Sequence, residues 1–212
     1  MTLKKWATAR RSFCALACGI ALLSCASDSS DEAAVRVEPT VELPRDVPPL
    51  KDYGGIGGAF ELRDQRGELF RLEQLEGRPA MLFFGYTYCP DICPVTLSKM
   101  AAVYRLLDLE PTDLQTIFIT VDPERDTQEK LAEYLAYFQI GALGLTSTPD
   151  KIDAVVRQYG GYYTLNKQEE SANYLADHST YTYLIDQQGQ VRFLFRPGDS
   201  PEYMAAVSRQ LF

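Results

Sequence analysis

Around residue 90 the hydrophobic pattern switches from a continuous run to a helical period. Ala80 to Phe84 is unbroken apolar sequence, with Gly77-Arg78-Pro79 before it and Gly85 after. Such a run fits a strand buried on both faces, as in a parallel sheet. From Pro94 onward, Leu97, Met100, Ala101, Tyr104 and Leu107 recur at helical spacing, with Ser98, Lys99 and Arg105 between them. Pro94 suits a first helical turn, where its missing N–H would be unpaired anyway. Thr116 to Val121 reads as the next strand. Strand, helix and strand together predict a parallel pair with a right-handed crossover.

The flanks extend this unit. Phe60 to Arg63 alternates like a half-exposed strand, Gln65-Arg66-Gly67 turns, and Leu69 to Leu72 returns as a hairpin. Thr127 is an N-cap, and Leu131, Tyr134, Leu135 and Phe138 line one helical face after it. Leu143 to Thr146 is a short strand. Thr148-Pro149-Asp150 opens a helix through Ile152, Val155, Val156 and Tyr159, and Gly160-Gly161 stops it. Tyr162 to Thr164 reads as a strand. Asn166 to Ala176 is polar and acidic without a period, and reads as a mobile loop carrying His178. Thr180 to Ile185 and Val191 to Phe195 flank the hairpin signal Asp186-Gln187-Gln188-Gly189, and residues 201–212 form a last helix. This order implies an α/β domain over residues 56–212. It is a thioredoxin-like fold with an N-terminal β-hairpin extension and a C-terminal β-hairpin plus helix.

The N-terminus follows another logic. Lys4, Lys5, Arg10 and Arg11 precede an apolar run from Phe13 to Leu23. At 1.5 Å per residue that run reaches about 16 Å, short of a hydrocarbon core of about 30 Å. Residues 1–24 therefore read as a signal peptide. Leu22-Leu23-Ser24-Cys25 resembles a bacterial lipobox, which makes Cys25 a lipidation site, and Arg10-Arg11-Ser12-Phe13 resembles a twin-arginine core. Residues 25–55 read as a lipid-bearing, acidic and Pro-rich tether. Some 30 flexible residues would give it a reach of about 30 Å. The expected location is a bacterial membrane, facing the periplasm or cell exterior.

Processing simplifies the cysteines. Cys14 and Cys18 leave with the signal and Cys25 carries lipid, so the folded domain keeps Cys89 and Cys93. These lie at the strand–helix junction, three residues apart. The positive end of a helix dipole stabilises thiolates, the nucleophilic and metal-binding form. The spacing alone allows a disulfide, two buried thiols or a soft-metal site for Cu(I), Zn or iron–sulfur iron. Peroxiredoxin chemistry fits poorly, because Leu82 and Tyr86 occupy the Pro and Thr positions of that motif before Cys89.

The longer motif narrows the choice. Gly85-Tyr86-Thr87-Tyr88-Cys89-Pro90-Asp91-Ile92-Cys93-Pro94 resembles the signature of the Sco/SenC family, copper proteins that help assemble cytochrome c oxidase. Val121-Asp122-Pro123-Glu124-Arg125-Asp126-Thr127 resembles its second block. Asp177-His178-Ser179, with Tyr183-Leu184-Ile185-Asp186, resembles its histidine block. The resemblance implies a copper site formed by Cys89, Cys93 and His178. It also implies delivery of copper to the binuclear copper A site of cytochrome c oxidase subunit II, with a copper donor protein and a thiol reductant as further partners. Asp122, Glu124 and Asp126 are better read as turn and capping residues pairing with Arg125, since hard carboxylates suit Mg and Ca. Two other functions remain open: a thiol–disulfide reductase using Cys89 and Cys93, and a copper or redox sensor.

Charge limits the partners further. The chain of 212 residues carries a net charge of −8; loss of residues 1–24 removes four basic and no acidic residues, taking it to −12. Such a surface repels nucleic acid and attracts cations and basic protein patches.

Overall fold

The computed structural model describes residues 41–75, 77–167 and 174–212. In chain order the strands are β1 (Glu61–Asp64), β2 (Leu69–Arg71), β3 (Ala80–Gly85), β4 (Gln115–Thr120), β5 (Leu143–Thr146), β6 (Tyr163–Leu165), β7 (Ala176–His178), β8 (Thr182–Ile185) and β9 (Val191–Phe195). The helices are α1 (Ile92–Leu107), α2 (Gln128–Ala136), α3 (Pro149–Gln158) and α4 (Pro201–Ser208).

The continuous apolar run is β3, buried at every position. It pairs in parallel with β4, which is buried throughout as well, and β4 pairs in parallel with β5. The β1–β2 hairpin adds antiparallel to β5 on one side, and the β8–β9 hairpin adds antiparallel to β3 on the other. The sheet order is β2-β1-β5-β4-β3-β8-β9, while β6 and β7 form a separate two-stranded sheet. This is the expected thioredoxin-like α/β arrangement with a hairpin at each end. Central strands covered on both faces have no polar alternation, which is why β3 and β4 stand out in the sequence.

Local chemistry sets the element ends. The Thr127 hydroxyl accepts from Lys130 N–H at the start of α2, and Ser200 accepts from Tyr203 N–H at the start of α4, where Pro201 follows. The Asp186 carboxylate accepts from the N–H groups of Gln188 and Gln190, closing the β8–β9 turn around Gly189. Helix α1 packs on α4, and α2 on β5. Tyr104 donates its hydroxyl to the Leu114 carbonyl, tying α1 to the entry of β4.

Two expectations change. Residues 41–55, read as the end of a flexible tether, lie along the domain. Leu43 is buried, and Val47, Leu50 and Tyr53 pack against the core. Lys51 N–H donates to the Arg192 carbonyl, and Gln210 donates to the Pro48 carbonyl. Scattered apolar residues without a period hid this contact. His178 also does not sit in a loop: it ends β7, opposite Tyr163 of β6. Short satellite strands leave too few residues for a period to show. Residues 168–173 of the expected loop, the export signal and Cys25 lie outside the described residues. Among the described residues, no helix is long and apolar enough to cross a membrane.

Gly85 marks where fold and site meet. A Cβ there would stand 2.7 Å from Phe118 Cε2 and 2.9 Å from Cys93 Sγ. Gly85→Ala should therefore cost about 1–3 kcal/mol through overpacking. Gly198 has no such neighbours, and Gly198→Ala should stay within about 0.5 kcal/mol. Urea unfolding of the two variants checks the contrast.

Candidate metal centre

Cys89 lies in the loop after β3, where its N–H donates to the Tyr86 carbonyl. Cys93 sits one residue inside α1. No side-chain cap bonds at Asp91; instead Cys93 N–H points at Cys89 Sγ, 3.4 Å away. One of the orphan donors of the helix N-terminus is thus met by sulfur. His178 arrives from β7, and its Nε2 lies 3.7 Å from Cys93 Sγ. The three donor atoms all fall within 4.8 Å of one another, and all three residues are buried.

Burial and hydrogen bonding separate the two thiols. Both are free and buried. The hydrogen bond from Cys93 pulls the Cys89 thiol down to about 4 against opposing desolvation, helped by the backbone N–H groups of Asp91 and Cys93. Desolvation, with the Cys89 sulfur beside it, pushes Cys93 up. Cys89 is thus the thiol favoured to ionise first, with Cys93 as its hydrogen-bond donor.

His178 is held in a single tautomer. Its Nδ1 lies 2.9 Å from the Ser179 carbonyl, which can only accept. Nδ1 therefore carries the proton and Nε2 presents its lone pair to the cysteines, the usual way an outer partner orients a ligating histidine. Phe83 and Tyr86 close on the imidazole edge-to-face, each with centroids 5.9 Å away.

This donor set fits a soft metal ion. Bonds of about 2.0–2.3 Å, the range for thiolate and imidazole on zinc, place three trigonal donors about 3.7 Å apart. Cys93 Sγ and His178 Nε2 stand at that spacing, and all three donors lie within 4.8 Å of one another. Thiolate and imidazole are also the donors that copper prefers among biological ligands.

The acidic residues of the second block stay out of the donor group and brace it. Asp126, fully buried, accepts from Thr87 N–H at 2.9 Å, from the Thr87 hydroxyl at 2.6 Å and from the Thr120 hydroxyl at 2.6 Å. It thereby fixes the loop leading to Cys89. Desolvation raises the Asp126 carboxyl, and those three bonds oppose the shift. Asp122, also fully buried, pairs with Arg125 Nε at 2.5 Å and accepts the Tyr174 hydroxyl at 2.7 Å. The expected pair with Arg125 holds for Asp122, while Glu124 pairs with Lys167 and Asp126 with Thr87 and Thr120. The grips on Thr87 and Tyr174 were missed, because they join residues 39 and 52 positions apart. One signal did exist: Asp122 follows a strand parallel and adjacent to the cysteine strand, so both emerge at the same sheet end.

Reduced, metal-free protein should show a thiolate ultraviolet absorbance step near pH 4, with the second thiol still protonated when an ordinary thiol has ionised. Cys89→Ser should abolish the low step. A single step for both thiols in the ordinary thiol range would contradict the assignment.

The SCO1/SenC family model matches residues 50–212. An SCO2-like protein of Rickettsia felis is 40% identical over 153 residues, covering 72% of this chain and 75% of the relative. The copper-bound structure of ScoI from Bradyrhizobium japonicum shares 36% identity at a TM-score of 0.67, covering 74% of this chain and 99% of that one. Copper-bound yeast Sco1 shares 34% identity at a TM-score of 0.65, covering 71% and 84%. The chain belongs to the SCO1/SenC family.

Proposed function

We propose that this chain is a membrane-tethered copper chaperone. It binds one copper ion through Cys89, Cys93 and His178 and passes it to the binuclear copper A site of cytochrome c oxidase subunit II. The observation that carries the reading is the convergence of two sulfurs and one lone-pair nitrogen in a buried pocket. Relatives at 36% and 34% identity whose structures hold copper support it. Copper is cargo here. Cys89 is already poised as a thiolate; Cys93 gives up its proton as the metal enters, since a ligating thiol must be deprotonated. Handing the ion on proceeds by exchange of these ligands for those of the recipient. Lipid on Cys25 would hold the domain at the membrane that carries the oxidase.

A second reading rests on the asymmetry of the thiols. An ionised Cys89 beside a protonated Cys93 suits thiol–disulfide exchange, in which Cys89 attacks a substrate disulfide and Cys93 resolves the mixed disulfide. That reaction does not need His178 as a ligand.

Anaerobic titration of the reduced domain with Cu(I) against a competing chelator separates them. One-to-one binding is expected, lost in the double Cys89→Ser, Cys93→Ser variant and weakened about tenfold or more in His178→Ala. Loaded protein should then transfer copper to the metal-free soluble domain of subunit II. Absence of tight wild-type binding would leave the reductase reading in its place.

A further inference from the structure

His178 is presented by an element that the central sheet does not hold. Strands β6 and β7 pair only with each other, three residues against three. An isolated two-stranded hairpin is marginal in water, so packing from outside must fix it. The Ser179 N–H donates to the Tyr162 carbonyl and the Ser179 hydroxyl accepts from Tyr162 N–H, but both bonds stay within the hairpin. Asn166 donating to Asp177 is internal as well.

Phe83 and Tyr86 pack edge-to-face on the His178 ring, and two further polar ties run outward to the turn after β4. Tyr174, two residues before β7, donates its hydroxyl to Asp122 Oδ1 at 2.7 Å. The Arg125 guanidinium stacks 3.5 Å from the Tyr174 ring centroid while its Nε holds the other Asp122 oxygen. Asp122 is fully buried, and its own N–H donates to the Thr120 hydroxyl, so the acceptor is anchored to β4. At the other end of the segment, Lys167 pairs with Glu124 at 2.6 Å. That pair is exposed and contributes little. The Tyr174 bond is the strong one, because a charge-assisted bond to a buried carboxylate is about twice a neutral one.

We propose that Tyr174 is a positioning residue for His178. Its hydroxyl on the Asp122 carboxylate fixes the β6–β7 hairpin so that Nε2 stays beside Cys93 Sγ. The same turn holds the other half of the site through Asp126 and Thr87. One five-residue turn, through Asp122 and Asp126, thus grips both the histidine hairpin and the cysteine loop. For its metal arm the proposal rests on the copper reading above; its metal-free arm does not.

Tyr174→Phe tests it, since the variant keeps the ring beneath Arg125 and removes only the hydroxyl. In reduced, metal-free protein, amide exchange at Ser179 should quicken about tenfold, as expected from losing a bond to a charged group. Exchange at Gln115 and Leu131, whose N–H groups donate to Pro79 and Thr127, should not change. Unchanged Ser179 exchange, or equal acceleration at all three sites, overturns the proposal. In the metal arm, Tyr174→Phe should weaken Cu(I) affinity several-fold in the His178 protein and leave it unaltered in the His178→Ala background. Equal losses in both backgrounds overturn it, because they show an effect that does not pass through His178. If wild-type protein fails to bind Cu(I) while Ser179 exchange responds as expected, the copper reading falls and the positioning role stands.

Discussion

Burial of β3 on both faces is the constraint from which the rest follows. A strand with every side chain inside must be covered above and below and paired on both edges, and this chain supplies β4 on one edge and β8 on the other. The sheet then leaves the C-terminal ends of β3 and β4 side by side, with Val121 N–H bonded to the Gly85 carbonyl. What the chain places just after those ends becomes the site: a cysteine loop opening a helix after β3, and an acidic turn after β4. Gly85 stands at the exit because both Phe118 and Cys93 need the space a Cβ would fill.

Charge inside that corner is costly, and the fold meets the cost with pairing. Two carboxylates, Asp122 and Asp126, are fully buried within five residues. Each is saturated by groups that matter to the metal centre: Asp126 by Thr87 beside the cysteine loop, Asp122 by Tyr174 beside the histidine hairpin. A buried carboxylate without such partners would be strongly destabilising. The stability of the turn and the geometry of the donors are therefore the same set of hydrogen bonds.

Legibility in the sequence follows the length of the pattern. β3, β4 and α1 were readable because six successive buried residues leave an unbroken run, and four helical turns a period, that chance does not produce. The donor residues were named by motif: spacing alone left Cys89 and Cys93 open between disulfide and metal, and a lone histidine carries no signal of its own. What remained hidden lacks either length or locality. Strand β7 has three residues, too few for its buried–exposed–buried alternation to stand out as a period. The segment 43–53 packs through single apolar residues separated by prolines. The Thr87–Asp126 and Tyr174–Asp122 bonds close loops that no window over the sequence spans.

If copper is cargo, as proposed, keeping the histidine on its own hairpin has a consequence for its release. If all three donors stood on the central sheet, withdrawing one would mean breaking the packing of β3. Here the two sulfurs sit on the sheet exit and the first turn of α1, while the nitrogen rides on two strands joined to the body by side chains. On the proposed function, a recipient that competes for the ion would displace the imidazole first, at the cost of local bonds and the edge contacts of Phe83 and Tyr86 rather than of the sheet itself. On that reading, the side the histidine vacates would be where a recipient's ligand reaches the ion before Cys89 or Cys93 lets go. On the same proposed function, the sulfurs would keep their hold on the ion during transfer, while the hairpin, which adds to affinity through His178, would also control access.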